Sequence, residues 1–109
     1  MLIFDALSDP TRRKIVELLA QREQTAGEIV AHFTMSGPAI SQHLKVLRTA
    51  NLVTVRVAAQ RRIYALNPAS LGEIDAWLTE IRGFWSARLD ALAAQLEEED
   101  NHSRRKYEN

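Results

Sequence analysis

Apolar residues recur along most of this chain at steps of three and four, the period of helices that bury one side. Residues 2–7 (LIFDAL) predict a short helix packed through Leu2, Ile3 and Leu7, and Ser8 ends it. Asp9-Pro10 opens a second helix over about 10–21, since Asp9 can cap and Pro10 suits a first turn. Ile15, Leu18 and Leu19 form its buried stripe. Arg12, Arg13 and Lys14 stand in its first turns, where positive charge opposes the helix dipole. A solvated face would account for them, and so would a phosphate contact.

Thr25-Ala-Gly-Glu28 has the spacing of a capping box, in which hydroxyl and carboxylate each satisfy a backbone amide. It predicts a short helix over about 26–32, buried through Ala26, Ile29, Val30 and Phe33. Thr34-Met35-Ser36 forms a turn, with Ser36 as a cap, and Pro38 lies in the first turn of a helix over about 37–49. That helix has two unlike faces. Ile40, Leu44 and Leu47 fall within about 60° of one another. Pro38, Ser41, Gln42, Lys45, Arg48 and Thr49 lie opposite, and His43 falls between. Two short helices joined by a tight turn make a helix-turn-helix pattern.

The period then shortens to two. Leu52–Val57 (LVTVRV) and Arg62–Leu66 (RIYAL) alternate and are rich in β-branched residues, so they predict strands. The four-residue link 58–61 makes them a hairpin. Arg61 lies at its tip, with Arg56 and Arg62 on its strands. Helix, helix, hairpin is the order of a winged helix, with the wing at about 52–66. Asn67-Pro68 opens a last helix that runs from Leu71 to about Glu97. Leu71, Ile74, Leu78, Ile81, Trp85, Leu89, Leu92 and Leu96 form the seam of a helix packed lengthwise on a partner. Such a helix is roughly 40 Å long, more than a small core can cover. Trp77 and Phe84 form a second stripe suited to the chain's own core. The expected architecture is mainly α with a small β-hairpin (α+β): a winged helix-turn-helix with a long C-terminal dimerisation helix, forming one domain at residues 1–97. Residues 98–109 (EEDNHSRRKYEN) make a charged tail expected to be disordered.

Composition narrows the function. A chain of 109 residues fits one domain and buries only about two-thirds of its unfolded surface, so a second copy would help it. The absence of cysteine excludes disulfides, thiolate metal sites and a cysteine nucleophile. No signal-peptide pattern or apolar run of about 20 residues is visible, which points to the cytoplasm and to no membrane partner. The net charge of zero hides an asymmetry: residues 1–66 carry nine bases against five acids, and residues 67–109 the reverse. Residues 29–72 hold no acid at all, yet include Lys45, Arg48, Arg56, Arg61 and Arg62. A surface laid against phosphates must avoid acids. There is no phosphate-cradling glycine loop and no nucleophile context, so no catalytic residue is assigned and no enzyme is expected.

These features point to double-stranded DNA. Ser41, Gln42 and Lys45 are the base-reading candidates, because Gln suits adenine, Lys suits guanine and Ser serves either. Arg12, Arg48, Arg56, Arg61 and Arg62 suit phosphates, which position rather than specify; Arg12 could equally hold an internal ion pair. His43 is expected as a packed, hydrogen-bonded structural histidine. Trp77, Phe84 and Trp85 read as core or seam residues, although a dimer cleft with tryptophans is where a small-molecule effector would be sought.

The segments ALSDPTRRKIVELL (6–19), TAGEIVAHFTMSGPAISQHLKVLRTANLV (25–53) and RRIYALN (61–67) resemble the ArsR/SmtB family of bacterial winged-helix repressors. The resemblance covers roughly residues 2–96 and is most specific at SQHLKVL (41–47) and at Asp9–Arg12. It implies a homodimer that binds an operator and blocks transcription, with the recognition helix in the major groove, the wing near the backbone and terminal helices forming the dimer. Asn51 and Gln60 stand where the family usually has glycine. Asn tolerates left-handed backbone well and Gln less so, so the wing turn is expected to differ in shape. The family's metal-sensing positions lack both thiolate and imidazole here: Asp75 is followed by Trp77, with Trp85 and Arg88 beyond, and no histidine lies between His43 and His102. Without those ligands no metal or other cofactor is expected. The alternative to a DNA-binding repressor is a winged-helix protein-interaction module with little affinity for DNA.

Overall fold

The computed structural model describes residues 2–107. Its elements follow in the order α1 (Leu2–Leu7), α2 (Pro10–Gln21), β1 (Gln24–Thr25), α3 (Ala26–Val30), α4 (Gly37–Thr49), β2 (Val53–Ala58), β3 (Arg61–Leu66) and α5 (Pro68–Tyr107). The chain divides into two units, residues 1–72 and residues 73–109.

Side-chain caps start the helices where the sequence placed them. The Asp9 carboxylate accepts from the Arg12 amide at 3.0 Å. That bond is the main reason its carboxyl is held below the usual carboxylate range, outweighing the opposing effect of desolvation, and the Arg12 charge adds to it. Thr25 and Glu28 form the reciprocal capping box, each accepting the other's amide at 3.2 Å. Arg22, 2.8 Å from Glu28, is the first cause of that carboxyl's lowered pKa, and the Thr25 bonds add to it. Ser36 caps α4 by accepting from the Ala39 amide.

The end of α4 is as specific as its start. Asn51 has φ 60°. Its amide donates to the Arg48 carbonyl, and the Leu52 amide donates to the Leu47 carbonyl, both at 3.0 Å. This is a Schellman ending, with Asn in the left-handed position that glycine most often fills and the apolar Leu52 buried just beyond it. The Asn51 carbonyl accepts from Asn67 Nδ2 at 2.9 Å and from the buried Ser70 hydroxyl, while the Asn67 amide donates to the Leu52 carbonyl at 2.9 Å.

The sheet differs from expectation in two ways. β2 and β3 pair from Val53↔Leu66 out to Ala58↔Arg61, so the link is the two residues Ala59-Gln60 rather than four. A two-residue hairpin needs positive φ to follow the strands' twist. Ala59 supplies it with φ 57°, and Gln60 does not. In addition, β1 pairs with β3 through Gln24↔Tyr64 and Thr25↔Ile63, making a three-stranded antiparallel sheet in the order β1-β3-β2. Two residues are too short to show any period.

The core of residues 1–72 centres on Ile15, Ile29, Ile40, Leu44, Leu47 and Leu52, all nearly without solvent contact. In α1 the buried pair is Ile3 and Ala6; Leu2 is exposed and Leu7 half-buried. Adjacent helical residues point about 100° apart, so a helix this short seats one of Leu2 and Ile3. Leu18 and Phe33 are half-buried rather than central. α5 does not stop near Glu97 but keeps helical backbone to Tyr107. No Gly or Pro interrupts residues 84–107, and the Glu, Lys and Arg that suggested a disordered tail are also good helix formers. The tail's last two residues, 108 and 109, lie outside the described residues. No described helix is long and apolar enough to cross a membrane.

Candidate nucleic-acid interface

The amphipathic pattern of α4 decides what it presents. Ile40, Leu44 and Leu47 are buried in the core, which leaves Ser41, Gln42, Lys45, Arg48 and Thr49 exposed on the other side. Thr49 spends its hydroxyl proton on the Lys45 carbonyl at 2.9 Å. Lys45, Arg48 and Thr49 also line a groove of ≈ 520 Å³ with Val53, Thr54 and Val55 of β2. Two cations and no acid border it, which suits an anionic strand passing between helix and wing. Between α3 and α4 the chain makes a turn over residues 31–36, longer than the three expected because α3 ends at Val30. The His32 and Phe33 amides close that turn on the Ile29 and Val30 carbonyls.

The five arginine candidates do not share one environment. Arg48, Arg61 and Arg62 are exposed. Arg56 is exposed too, but its guanidinium is paired with Glu23 at 2.6 Å, an ion pair that joins β2 to the residue before β1. Arg12 is half-buried, and its head points inward. Nε donates to the Ala6 carbonyl at 2.6 Å, Nη2 donates to the Asp5 carbonyl at 3.2 Å, and Nη1 lies 3.4 Å from His43 Nδ1. Arg13 does the same for the Leu7 and Ser8 carbonyls, at 2.9 and 3.3 Å.

The bases that sit unfavourably at the start of α2 therefore cap the end of α1, whose last carbonyls lack helical partners. Neither a solvated face nor a phosphate accounts for that arrangement, and the internal role of Arg12 is to bind carbonyls rather than an acid. The signal was available in the sequence, since a six-residue helix followed within a few residues by two arginines needs C-terminal donors. Lys14 sits 5.2 Å above the Phe33 ring, a cation–π contact that covers this half-buried aromatic. His43 is half-buried between the two faces of α4, as expected, with Asp9 Oδ2 3.8 Å from its Nδ1.

On α5 the seam residues Leu71, Leu78, Trp85, Leu89, Leu92 and Leu96 are exposed, while Ile74 and Ile81 are half-buried. Trp77 and Phe84, expected to face the chain's own core, are 40% and 65% exposed. Among the described residues no three His, Asp or Glu side chains come together as a metal site.

A buried-backed helix with a polar, acid-free outer face, preceded by a capped short helix and followed by a hairpin, defines a winged helix-turn-helix protein. Comparison with known proteins makes the class specific. Residues 9–55 match the model of the bacterial regulatory protein arsR family. The chain is 44% identical over 96 residues to the HTH-type transcriptional regulator Rv2034 of Mycobacterium tuberculosis, covering 88% of this chain and 87% of that protein. It is 42% identical to the transcriptional repressor SdpR of Bacillus subtilis, over 70% of this chain and 84% of the repressor. A crystal structure of a possible transcriptional regulator for arsenical resistance aligns with TM-score 0.68 and 41% identity, covering 87% of this chain and 96% of that one. The chain belongs to the ArsR family of DNA-binding transcriptional regulators.

Proposed function

We propose that this protein is a homodimeric, sequence-specific repressor, and not an enzyme, whose α4 reads operator bases in the major groove while the wing β2–β3 holds the backbone. The observation that carries the reading is the outer face of α4. Ser41, Gln42 and Lys45 are exposed together, backed by buried Ile40, Leu44 and Leu47, in the stretch of residues 29–72 that holds no acid. Gln42 and Lys45 carry the donor and acceptor sets that distinguish base pairs. Arg48, Arg61 and Arg62 supply phosphate contacts, whereas Arg12 and Arg56 serve the fold first and contribute to DNA binding through it. The second copy covers the exposed seam of α5. A regulator of this kind acts on the chromosome and so in the cytoplasm.

Fluorescence anisotropy with the DNA just upstream of this protein's own coding sequence, competed with unrelated duplex, tests the reading. Saturable binding that weakens steeply with salt is expected. Gln42→Ala should relax preference at one base position, and Arg61→Ala should weaken all sequences about equally. Absence of binding even at low salt would replace this reading with that of a protein-interaction module.

A further inference from the structure

The apolar contacts of Ile40, Leu44 and Leu47 fix how deeply α4 sits, but such packing is non-directional. Base reading is less forgiving, since reading groups must be held within about 0.5 Å of their productive place. Something must set the rotation of α4 about its own axis. His43 is the residue placed to do so. It lies next to Gln42 and two residues from both Ser41 and Lys45. Its Nδ1 sits 3.4 Å from Arg12 Nη1 and 3.8 Å from Asp9 Oδ2.

Both of those partners are themselves pinned. Arg12 is tied by Nε and Nη2 to the Ala6 and Asp5 carbonyls of α1. Asp9 is the cap of α2 and accepts the Arg12 amide. A guanidinium has only donors, so in this contact Nδ1 accepts and the ring proton is on Nε2, with Asp9 lying beside the pair rather than bonded to the ring. Recognition helix, α1 and the start of α2 thus meet at one imidazole nitrogen. Of the other charged groups on these elements, Arg13 is bonded to the Leu7 and Ser8 carbonyls and Lys14 lies over the Phe33 ring, while Lys45 and Arg48 are exposed on the outer side of α4.

We propose that His43 is a positioning residue for base recognition: as acceptor for Arg12 it sets the rotation of α4, and without it the protein keeps DNA affinity but loses selectivity. This rests on the reading of α4 as the base-reading helix.

Leu and Asn have nearly the same shape, and only Asn places an acceptor close to where Nδ1 stands. The full chain is therefore compared as wild type, His43→Leu and His43→Asn. The probes are a duplex that the wild-type chain enriches from a random-sequence pool and a scrambled duplex of the same composition. His43→Leu should lower the ratio of the two affinities about tenfold, as expected for one lost charge-assisted hydrogen bond. Its affinity for the scrambled duplex and its melting temperature should stay near wild type, and His43→Asn should keep the wild-type ratio within about twofold.

The proposal is overturned if His43→Leu retains the ratio, if His43→Asn loses it equally, or if both duplexes weaken together. Should neither variant fold, Arg12→Lys, which keeps a cation for the Ala6 carbonyl but lacks the fork, must reproduce the selective loss; retained selectivity there also overturns it. If the wild-type chain enriches no duplex, the repressor reading itself fails and this role goes with it. Enrichment with an unchanged ratio in the variants removes this role alone.

Discussion

α4 and α5 carry the same kind of apolar stripe, at steps of three and four, and the two stripes meet opposite fates. In α4, Ile40, Leu44 and Leu47 are 0–1% exposed. In α5, Leu78, Trp85, Leu89, Leu92 and Leu96 are 43–58% exposed. Periodicity therefore says that a helix will bury one side, and says nothing of whose atoms will cover it. The contrast separates a stripe covered within residues 1–72 from one left open along α5, which the proposed second copy would cover.

The largest effect that tests this contrast is Leu47→Ala. Emptying a fully buried leucine site costs about 2–5 kcal/mol, so thermal melting of the first unit should fall by many degrees at any protein concentration. Trp85→Asp should leave that melting transition in place and convert dimers to monomers in sedimentation, with operator affinity falling alongside. An intact Trp85→Asp dimer would remove the seam assignment and leave the α5 stripe unexplained. A smaller effect has the opposite sign. Ala59 holds φ 57°, where a Cβ is strained, and Ala59→Gly should stabilise the chain by about 1 kcal/mol in denaturant melts.

The smallest effect is acid sensitivity. The Asp9 carboxyl is held low chiefly by the Arg12 amide. A depressed folded pKa means that its stabilisation is fully present above the ordinary carboxylate value and is lost as pH falls through the lower folded one. Asp9→Asn should flatten the stability profile below about pH 4 and change little at neutrality. A profile identical to wild type below that pH would mean that the cap adds no stability through its charge.

Much of the fold was legible because its boundaries are written in side chains. Asp9, Thr25, Ser36 and Pro38 fix helix starts by chemistry local in sequence, and each element begins where they place it. Asn51 was legible in the same way as a residue that accepts left-handed backbone. What stayed hidden depends on distant partners. β1 exists because β3 offers an edge, and no period marks two residues. Solvent and phosphate were the partners weighed for Arg12 and Arg13; their acceptors are the backbone carbonyls of another helix, and only the short α1 ending just before them points there. The pairing of Arg56 with Glu23, 33 residues away, is likewise invisible to local pattern. The end of α5 was misplaced because the residues that keep a chain charged and uncollapsed also favour helix. For the interface, the face of α4 could be drawn from a helical wheel, whereas which arginines are available for it could not.

The bonds around Asn51 have a consequence for how such proteins diversify. The Asn67 side chain and the Ser70 hydroxyl both hold the carbonyl at which the wing departs, and the Asn67 amide holds the next one. The wing is thus a loop stapled at its base, and none of the staples involves the tip. Selection is free to lengthen, shorten or recharge residues around Ala59 and Gln60 without renegotiating the join to the recognition helix. In evolutionary terms the hairpin tip is a variable extension on a fixed base, free to change in length and charge while the rest of the domain stands still.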